Sequence, residues 1–142
     1  PRRPGRRPPH TLSPALATRN GELVSVFGTM GGDAQPQILL QVAARLFLHG
    51  QSPAEAINSA RWALAGPETG FDTWSDLDHQ RVEVEGHAPD GWEPGLVARG
   101  HRVDRLPDYD SGFGHAHAIV RDDHGLSGAA DPRCRVGAAI GR

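Results

Sequence analysis

A glycine-rich stretch that follows an apolar run is the part of this sequence best suited to binding negative charge. Residues 24–37 read Val-Ser-Val-Phe-Gly-Thr-Met-Gly-Gly-Asp-Ala-Gln-Pro-Gln, which predicts a strand, a tight turn and the start of a helix. Gly28, Gly31 and Gly32 lack a Cβ atom and tolerate positive φ, so successive N–H groups can point into one concavity. Such a turn can bind an anion or stabilise an oxyanion that develops during acyl transfer.

The same turn also has a purely structural interpretation, because many glycine turns that join a strand to a helix bind nothing. Its spacing fits neither the dinucleotide-binding fingerprint nor a P-loop, which requires Gly-Lys followed by Ser or Thr. The sequence therefore argues against these two phosphate-binding motifs. A structural turn and an oxyanion site both stay open at this point.

Other residues with chemical potential are weaker candidates. His115 and His117 are two apart on a predicted strand, so both rings face one side and could in principle share a metal ion. No third ligand has a recognisable spacing, and His124 and Asp122 fall in a predicted turn, so structural or surface roles are the stronger interpretation. Arg133 could pair with a carboxylate, although solvated or structural arginines are commoner.

The elements around the glycine turn are predicted from turn residues and apolar periodicity. Asn20-Gly21 favours a type I′ turn between the mostly apolar residues 12–17 and a strand at residues 22–28. Pro36 suits the first turn of a helix, and Gly50 is placed to end it. The helix face predicted to pack on a sheet comprises Ile38, Leu39, Val42, Ala43, Leu46 and Phe47.

The second half of the chain is predicted to combine short helices and strands. Ser52-Pro53-Ala54-Glu55 is a capping box that opens a helix to about Ala60, ended by Arg61-Trp62, and a polar loop follows at residues 66–78. A half-buried strand is predicted at residues 80–85, and a weak helix at 91–99 that ends at Gly100. Further strands are predicted at residues 102–106, 115–120 and 126–129. The resulting class is α+β.

Composition narrows the possible functions. The 142 residues, 37% of them hydrophobic, can form one domain with a core, and 18 Gly with 12 Pro predict many turns. The net charge of −2 gives no excess that would favour nucleic acid or an anionic membrane. A single cysteine, Cys134, excludes an internal disulfide and a cysteine-based structural zinc site. No apolar run approaches the roughly 18 residues of a membrane span.

The N-terminal segment, residues 1–9, carries four arginines among four prolines and is predicted to be extended. A surface connector is favoured over a basic arm for nucleic acid, because the segment is short and has no interleaved aromatic residues. The chain begins at Pro1 without a Met or an apolar leader. We therefore expect the natural N-terminus, with any signal peptide, to lie outside this sequence, which leaves localisation unknown.

Five linked motifs extend over nearly the whole chain. They are Arg7-Pro8-Pro9-His10-Thr11-Leu12-Ser13-Pro14, Gly28-Thr29-Met30-Gly31-Gly32-Asp33, Glu55-Ala56-Ile57-Asn58, Ser111-Gly112-Phe113-Gly114-His115 and Gly128-Ala129-Ala130-Asp131-Pro132-Arg133. In this order and spacing the chain resembles the C-terminal part of the small subunit of γ-glutamyltransferases, especially the bacterial branch.

The resemblance implies a four-layer αββα N-terminal-nucleophile hydrolase fold, present here as residues 1–142 of a single partial domain that lacks the N-terminal strands. It implies a precursor that cuts itself into two subunits and frees a threonine. The hydroxyl of that threonine attacks γ-glutamyl amides such as glutathione, its α-amine acts as base, and the acyl group passes to water or an amino acid. The large subunit of the same precursor is the expected partner, and no cofactor is expected.

The resemblance also assigns site residues. The threonine would precede Pro1, so this chain alone is expected to be inactive, and poorly stable because its sheet lacks strands. Gly31 and Gly32 match the glycine pair whose N–H groups form the oxyanion hole. His10-Thr11 falls where many members have two serines that bind the substrate carboxylate, and this departure puts γ-glutamyl specificity in doubt.

Two alternatives stay open at this stage. One is a related amidase for another acyl group, such as a glutaryl side chain. The other is a non-catalytic fragment or binding module, since the chain has no nucleophile of its own in this comparison. Cys134-Arg135-Val136 replaces the small or acidic residues expected before the final Gly-Ala-Ala, which indicates a divergent C-terminus.

Overall fold

A computed structural model of the protein describes residues 4–7, 11–66 and 77–141. Within these ranges the strands form a four-stranded and a three-stranded sheet, accompanied by three α-helices. This arrangement confirms the α+β class. The segment predicted to be extended at residues 1–9 lies largely outside the described residues, so it stays a prediction.

The four-stranded sheet is antiparallel and contains the strand that leads into the glycine turn. Its order is β1-β2-β6-β7, with β1 at Ala15–Arg19, β2 at Glu22–Gly28, β6 at His117–Asp122 and β7 at Gly125–Ala130. Asn20 and Gly21 adopt φ values of 53° and 84°, both positive as a type I′ turn requires. The predicted hairpin is therefore confirmed.

Helix α1 (Gln35–Phe47) packs on this sheet through Ile38, Val42 and Leu46, which join the cluster around Phe27. Of the residues predicted on the buried face, Phe47 is exposed, although its ring meets that of Phe27 edge-on at 6.0 Å between centroids. Gly50 follows the helix with φ of 62°, as its predicted role in ending the helix requires.

Helix α2 (Pro53–Asn58) begins with the predicted capping box. The Ser52 side chain accepts a hydrogen bond from the N–H of Glu55, and the Glu55 carboxylate accepts one from the N–H of Ser52. The helix ends at Asn58, two residues before the predicted end, because the chain there turns toward the second sheet.

The three-stranded sheet contains a strand that sequence periodicity did not predict. β3 (Trp62–Ala65) pairs antiparallel with β4 (Arg81–Glu85), which pairs parallel with β5 (Val103–Leu106). The other edge of β3 bonds to α1, since the N–H of Leu64 donates to the Gln37 side chain at 2.8 Å and the N–H of Trp62 to Gln41 at 3.1 Å. Two buried glutamine side chains thus take the place of a neighbouring strand.

The remaining boundaries differ from the predictions by a few residues. Helix α3 occupies Trp92–Val97, and Gly100 beyond it has φ of 89°. Strand β6 begins at His117, so the prediction that His115 lies on the strand is wrong. His115 follows Gly114, whose φ of 76° turns the chain before pairing begins. Residues 67–76 of the predicted polar loop lie outside the described residues.

One face of the four-stranded sheet carries a row of exposed apolar side chains. Leu16, Val26 and Ile119 stand directly opposite one another on β1, β2 and β6, and they are 66%, 40% and 50% exposed. Leu126 of β7 lies on the same face, opposite Arg121, and is 73% exposed. A contiguous apolar surface of this kind is typical of an interaction site.

We predict that the isolated 142-residue polypeptide aggregates, because the row Leu16, Val26 and Ile119 is exposed to water. Replacing two facing residues with an ion pair, Val26→Glu with Ile119→Lys, should shift the polypeptide from aggregate toward monomer. Size-exclusion chromatography with light scattering measures the change. Leu48→Glu is the control, since Leu48 is 80% exposed but lies beyond α1 and away from the sheet. A monomeric wild-type polypeptide with a cooperative melt would contradict this expectation.

Candidate functional site

The glycine turn lies between β2 and α1, as the sequence predicts. Strand β2 ends at Gly28, Gly31 and Gly32 follow with φ of 140° and 55°, and a 3₁₀ turn at Gly32–Ala34 leads into α1. The N–H of Ala34 donates to the carbonyl of Gly31 at 3.0 Å, which closes the turn. Two successive residues with positive φ are strongly disfavoured for other side chains, so both positions call for glycine.

The turn is supported from behind by Gly114. A Cβ atom at this position would collide with the carbonyl oxygen of Met30 and with the Thr29 hydroxyl. The Cα of Gly114 lies 3.7 Å from the place where a Cβ of Gly31 would be. Gly114 belongs to one of the five sequence motifs, but no role was predicted for it, because a glycine next to Phe113 is a weak signal. Close packing of two backbones fixes the turn in one geometry.

The residues predicted to bind the substrate carboxylate are only partly described. His10 lies outside the described residues. Thr11 is exposed, and its carbonyl accepts a hydrogen bond of 2.9 Å from the side chain of Gln35, the first residue of α1. The structure thus brings the backbone at Thr11 to the helix that follows the glycine turn.

Four charged side chains form a cluster in the interior of the protein. We call Arg61, Glu85, Asp131 and Arg133 the buried ion network; each is at most 4% exposed. Arg61 pairs with Asp131 at 2.7 Å, and Arg133 donates to Asp131 at 3.0 Å and to Glu85 at 2.7 Å. Glu85 also accepts a bond from the N–H of Arg61. Arg133 is therefore buried and paired with two carboxylates, as the first of its two interpretations predicted.

The buried ion network reaches the glycine turn through Arg61. Its guanidinium donates to the carbonyls of Phe113 at 2.9 Å and Gly114 at 3.3 Å, and also to the carbonyl of Ile57 in α2. Gly114 in turn packs against the glycine turn. One side chain therefore holds the end of α2 and the loop behind the turn at a fixed distance.

Electrostatics in the network follow from burial and pairing. Burial and the nearby charge of Arg133 lower the pKa of Arg61 to about 10, against the opposing effect of Asp131, so Arg61 stays charged at neutral pH. Burial alone would raise the pKa of Asp131, but Arg61 and the N–H groups of Ala116 and Arg133 hold it below its ordinary value. For Arg133, burial acts to lower the pKa, yet Glu85 and Asp131 raise it above the usual value.

The histidines do not form a metal site. Among the described residues, no group of three or more His, Cys, Asp or Glu side chains is placed to hold a metal ion. His117 is exposed at the start of β6, whereas Nε2 of His115 is buried without a partner in that part of the chain. Cys134 is a free thiol. No helix in the described ranges is long and apolar enough to cross a membrane.

Comparison with known proteins assigns the chain to a family. The sequence profile of gamma-glutamyltranspeptidase matches residues 2–141, nearly the whole chain. The chain belongs to this family. The γ-glutamyltransferase resemblance seen in the motifs is therefore confirmed.

Two curated relatives in this family are proenzymes. The chain is 41% identical to the oxamate amidohydrolase proenzyme of Klebsiella pneumoniae, an alignment that covers 97% of this chain and 25% of the relative. It is 37% identical to the glutathione hydrolase-like YwrD proenzyme of Bacillus subtilis, again over 97% of this chain and 25% of the relative. The chain thus spans about a quarter of the length of the curated relatives that it matches.

A solved structure supports the fold. A highly active mutant of γ-glutamyltranspeptidase from Pseudomonas nitroreducens superimposes with a TM-score of 0.72 at 23% identity, covering 99% of this chain and 66% of that one. The predicted fold class, part of the N-terminal-nucleophile hydrolase fold of this γ-glutamyltranspeptidase family, is confirmed.

We predict that Asp131→Asn destabilises the complete protein at neutral pH and that the difference from wild type becomes smaller as the pH falls below about 3.9. The mutation leaves Arg61 buried without its anion, and breaking a buried pair of this kind costs about 3–5 kcal/mol. Because the folded-state pKa of Asp131 lies below its unfolded value of about 3.9, its contribution is fully present above that pH and is lost as pH falls through the folded value.

Thermal unfolding midpoints of both proteins between pH 7 and pH 3 measure this effect. The control is Asp122→Asn, at an exposed carboxylate at the end of β6 that accepts only the nearby N–H of His124 among the described hydrogen bonds. A difference between wild type and Asp131→Asn that stays constant or grows toward pH 3 would show that the charge of Asp131 is not the stabilising element.

Proposed function

We propose that this chain is part of an enzyme that cleaves amides through an acyl-enzyme on a threonine and transfers the acyl group to water or to an amino acid. The observation that carries the proposal is the pair Gly31 and Gly32, both at positive φ where β2 leads into α1. Membership of the gamma-glutamyltranspeptidase family and its relatives named as hydrolase proenzymes support it.

In the proposed reaction the glycine turn acts on the tetrahedral intermediate. The threonine hydroxyl attacks the amide carbon, its proton passes to the α-amine, and the carbonyl oxygen becomes negative. The N–H groups of Gly31 and Gly32 stabilise that oxygen. The C–N bond of the substrate then breaks, the carbonyl re-forms as the acyl-enzyme, and the substrate's amine leaves with the proton returned by the threonine α-amine. An upstream part of the same precursor supplies the threonine, and the large subunit completes a heterodimer.

The rigid support behind the turn favours this role. Stabilisation of a developing charge works best when the donors need no rearrangement during the reaction. Gly114 packs against Met30 and Thr29, and Arg61 binds the carbonyl of Gly114, so the turn has little room to move. A turn that only connected a strand to a helix would not require this close approach of two backbones.

For the substrate, we propose a carboxylate-bearing acyl group bound beside His10-Thr11. The hydrogen bond from Gln35 to the carbonyl of Thr11 supports a position of this segment near α1. γ-Glutamyl amides such as glutathione are the first substrate class, in keeping with the relative named glutathione hydrolase-like. The relative named oxamate amidohydrolase supports a second class, amides of other carboxylate-bearing acyl groups, which also includes glutaryl amides.

A non-catalytic fragment or binding module is the alternative from another class. The upstream sequence of the encoding gene separates the two hypotheses. A threonine at the start of a small-subunit-like strand supports the enzyme. Its absence supports the alternative.

We predict that Gly32→Val in the complete enzyme lowers the acylation rate by about 10²–10³, corresponding to roughly 2.7–4 kcal/mol for the loss of one oxyanion donor. Valine strains the backbone at φ of 55° and displaces the N–H groups, although a Cβ atom there would meet open space. Binding should change much less, because the donors act on charge that develops only in the transition state.

Gly50→Val is the matched control, since Gly50 has φ of 62°, open space around a Cβ atom and a place beyond the far end of α1. Pre-steady-state acylation of a γ-glutamyl anilide measures the rate, and thermal unfolding measures the shared backbone strain. Equal losses of rate in the two variants, or equal losses of binding and turnover in Gly32→Val, would favour a structural role for the turn.

We predict that His10→Ser shifts the complete enzyme toward γ-glutamyl substrates. An imidazole is bulkier than a serine hydroxyl and changes charge near a pKa of about 6.5, so it alters how a carboxylate is held. The ratio of kcat/KM for a γ-glutamyl anilide to that for a glutaryl anilide should rise at least about tenfold, or about 1.4 kcal/mol of differential transition-state binding.

Kinetics of both substrates on wild type and His10→Ser provide the measurement. His124→Ser, at an exposed turn between β6 and β7, is the control and should leave the ratio unchanged. The proposal for residue 10 fails if His10→Ser also leaves the ratio unchanged. That result would not affect the proposed role of Gly31 and Gly32, which the acylation rate tests separately.

A further inference from the structure

A groove separate from the glycine turn opens between the three-stranded sheet and α3. Its lining includes Trp62 and Leu64 of β3, Val82 of β4, and Trp92 and Leu96 of α3. The volume is about 500 Å³. Ligand pockets generally occupy about 300–1,000 Å³ and are lined mainly by apolar and aromatic side chains. The groove therefore has the size and the lining of a site for a small organic molecule.

The groove exists because small residues leave the core on this side of the protein incompletely filled. The buried members of this core include Ala60 and Ala88, which contribute little volume. Helix α3 places Gly95 at the groove, and a Cβ atom there would contact only the Arg99 guanidinium, at 3.5 Å. The two indole rings are half-buried as a result. An aromatic ring bound here would gain contacts that the protein does not supply itself.

The ionisable side chains that line the groove in the described part of the chain are basic. The polar ionisable residues that line it are Arg99 and His101, and no carboxylate is among the lining residues in the described part of the chain. The nearest acidic residue of α3, Glu93, is paired with Arg105 at 3.2 Å. Nη1 of Arg99 donates to the carbonyl of Gly95 at 2.7 Å, which holds the guanidinium at the rim. A planar guanidinium in a fixed position is suited to binding a carboxylate.

We propose that this groove binds an aromatic carboxylate, with the ring between Trp62 and Trp92 and the carboxylate on Arg99. This proposal does not rest on the proposed acyl transfer. It has a definite chemical selectivity, because a neutral compound of the same shape would lose the ion pair and keep the apolar contacts.

Isothermal titration calorimetry on the complete protein tests the proposal with naphthalene-2-carboxylate and its neutral isostere naphthalene-2-carboxamide. The carboxylate should bind at least about tenfold more tightly, a difference of about 1.4 kcal/mol. Arg99→Gln should remove that difference while leaving the affinity for the carboxamide unchanged. Arg19→Gln, at an exposed arginine in β1 on the other sheet, is the matched control and should change neither affinity.

A second variant tests the position of the site without removing charge. Gly95→Leu places a side chain in the groove, raises the helix propensity of α3 and should abolish binding of both compounds. Absence of carboxylate binding to the wild-type complete protein would overturn the proposal, as would equal affinities for the two compounds. Unchanged binding in Gly95→Leu would place the bound compound elsewhere and would overturn it as well.

Discussion

The structure depends on the neutralisation of four charges in its interior. Arg61, Glu85, Asp131 and Arg133 are all buried, and burying any one alone would cost several kcal/mol. Their two positive and two negative groups pair with one another, and further guanidinium donors bind main-chain carbonyls such as that of Ile57. Among the described residues, Nε of Arg61 is the one donor of the network without a hydrogen-bond partner. Because these bonds are directional, the network fixes positions that apolar packing alone would leave adjustable.

The network has this influence because its members come from distant parts of the chain. Arg61 precedes β3, Glu85 ends β4, and Asp131 with Arg133 follows β7, so the network joins the two sheets. Arg61 also binds the loop that contains Gly114, and that loop packs against the glycine turn. The glycine turn, for which we propose the role of an oxyanion hole, is therefore held in place by contacts that lead to the centre of the protein.

Local signals predicted much of the fold correctly, and the misses share one cause. The Asn20-Gly21 hairpin and the capping box at Ser52 are encoded by neighbouring residues, so sequence was sufficient for both. Strand β3 was missed because one of its edges is completed by the side chains of Gln37 and Gln41, which are distant in sequence. The prediction that His115 lies on β6 failed for a related reason, since Gly114 is turned by its contact with residues 29 and 30.

The glycine turn could be predicted from local sequence, because positive φ is readily accessible to Gly31 and Gly32, and the linked motifs indicated the family. It also presented Arg133 as a candidate partner for a carboxylate. Packing of the sheets and helices sets which carboxylates Arg133 meets, brings Arg61 to the same cluster and places Gly114 against the turn. These contacts join residues that are far apart in the chain, by 76 positions between Arg133 and Ile57 and by 85 between Gly114 and Thr29, so they form only when the sheets and helices pack.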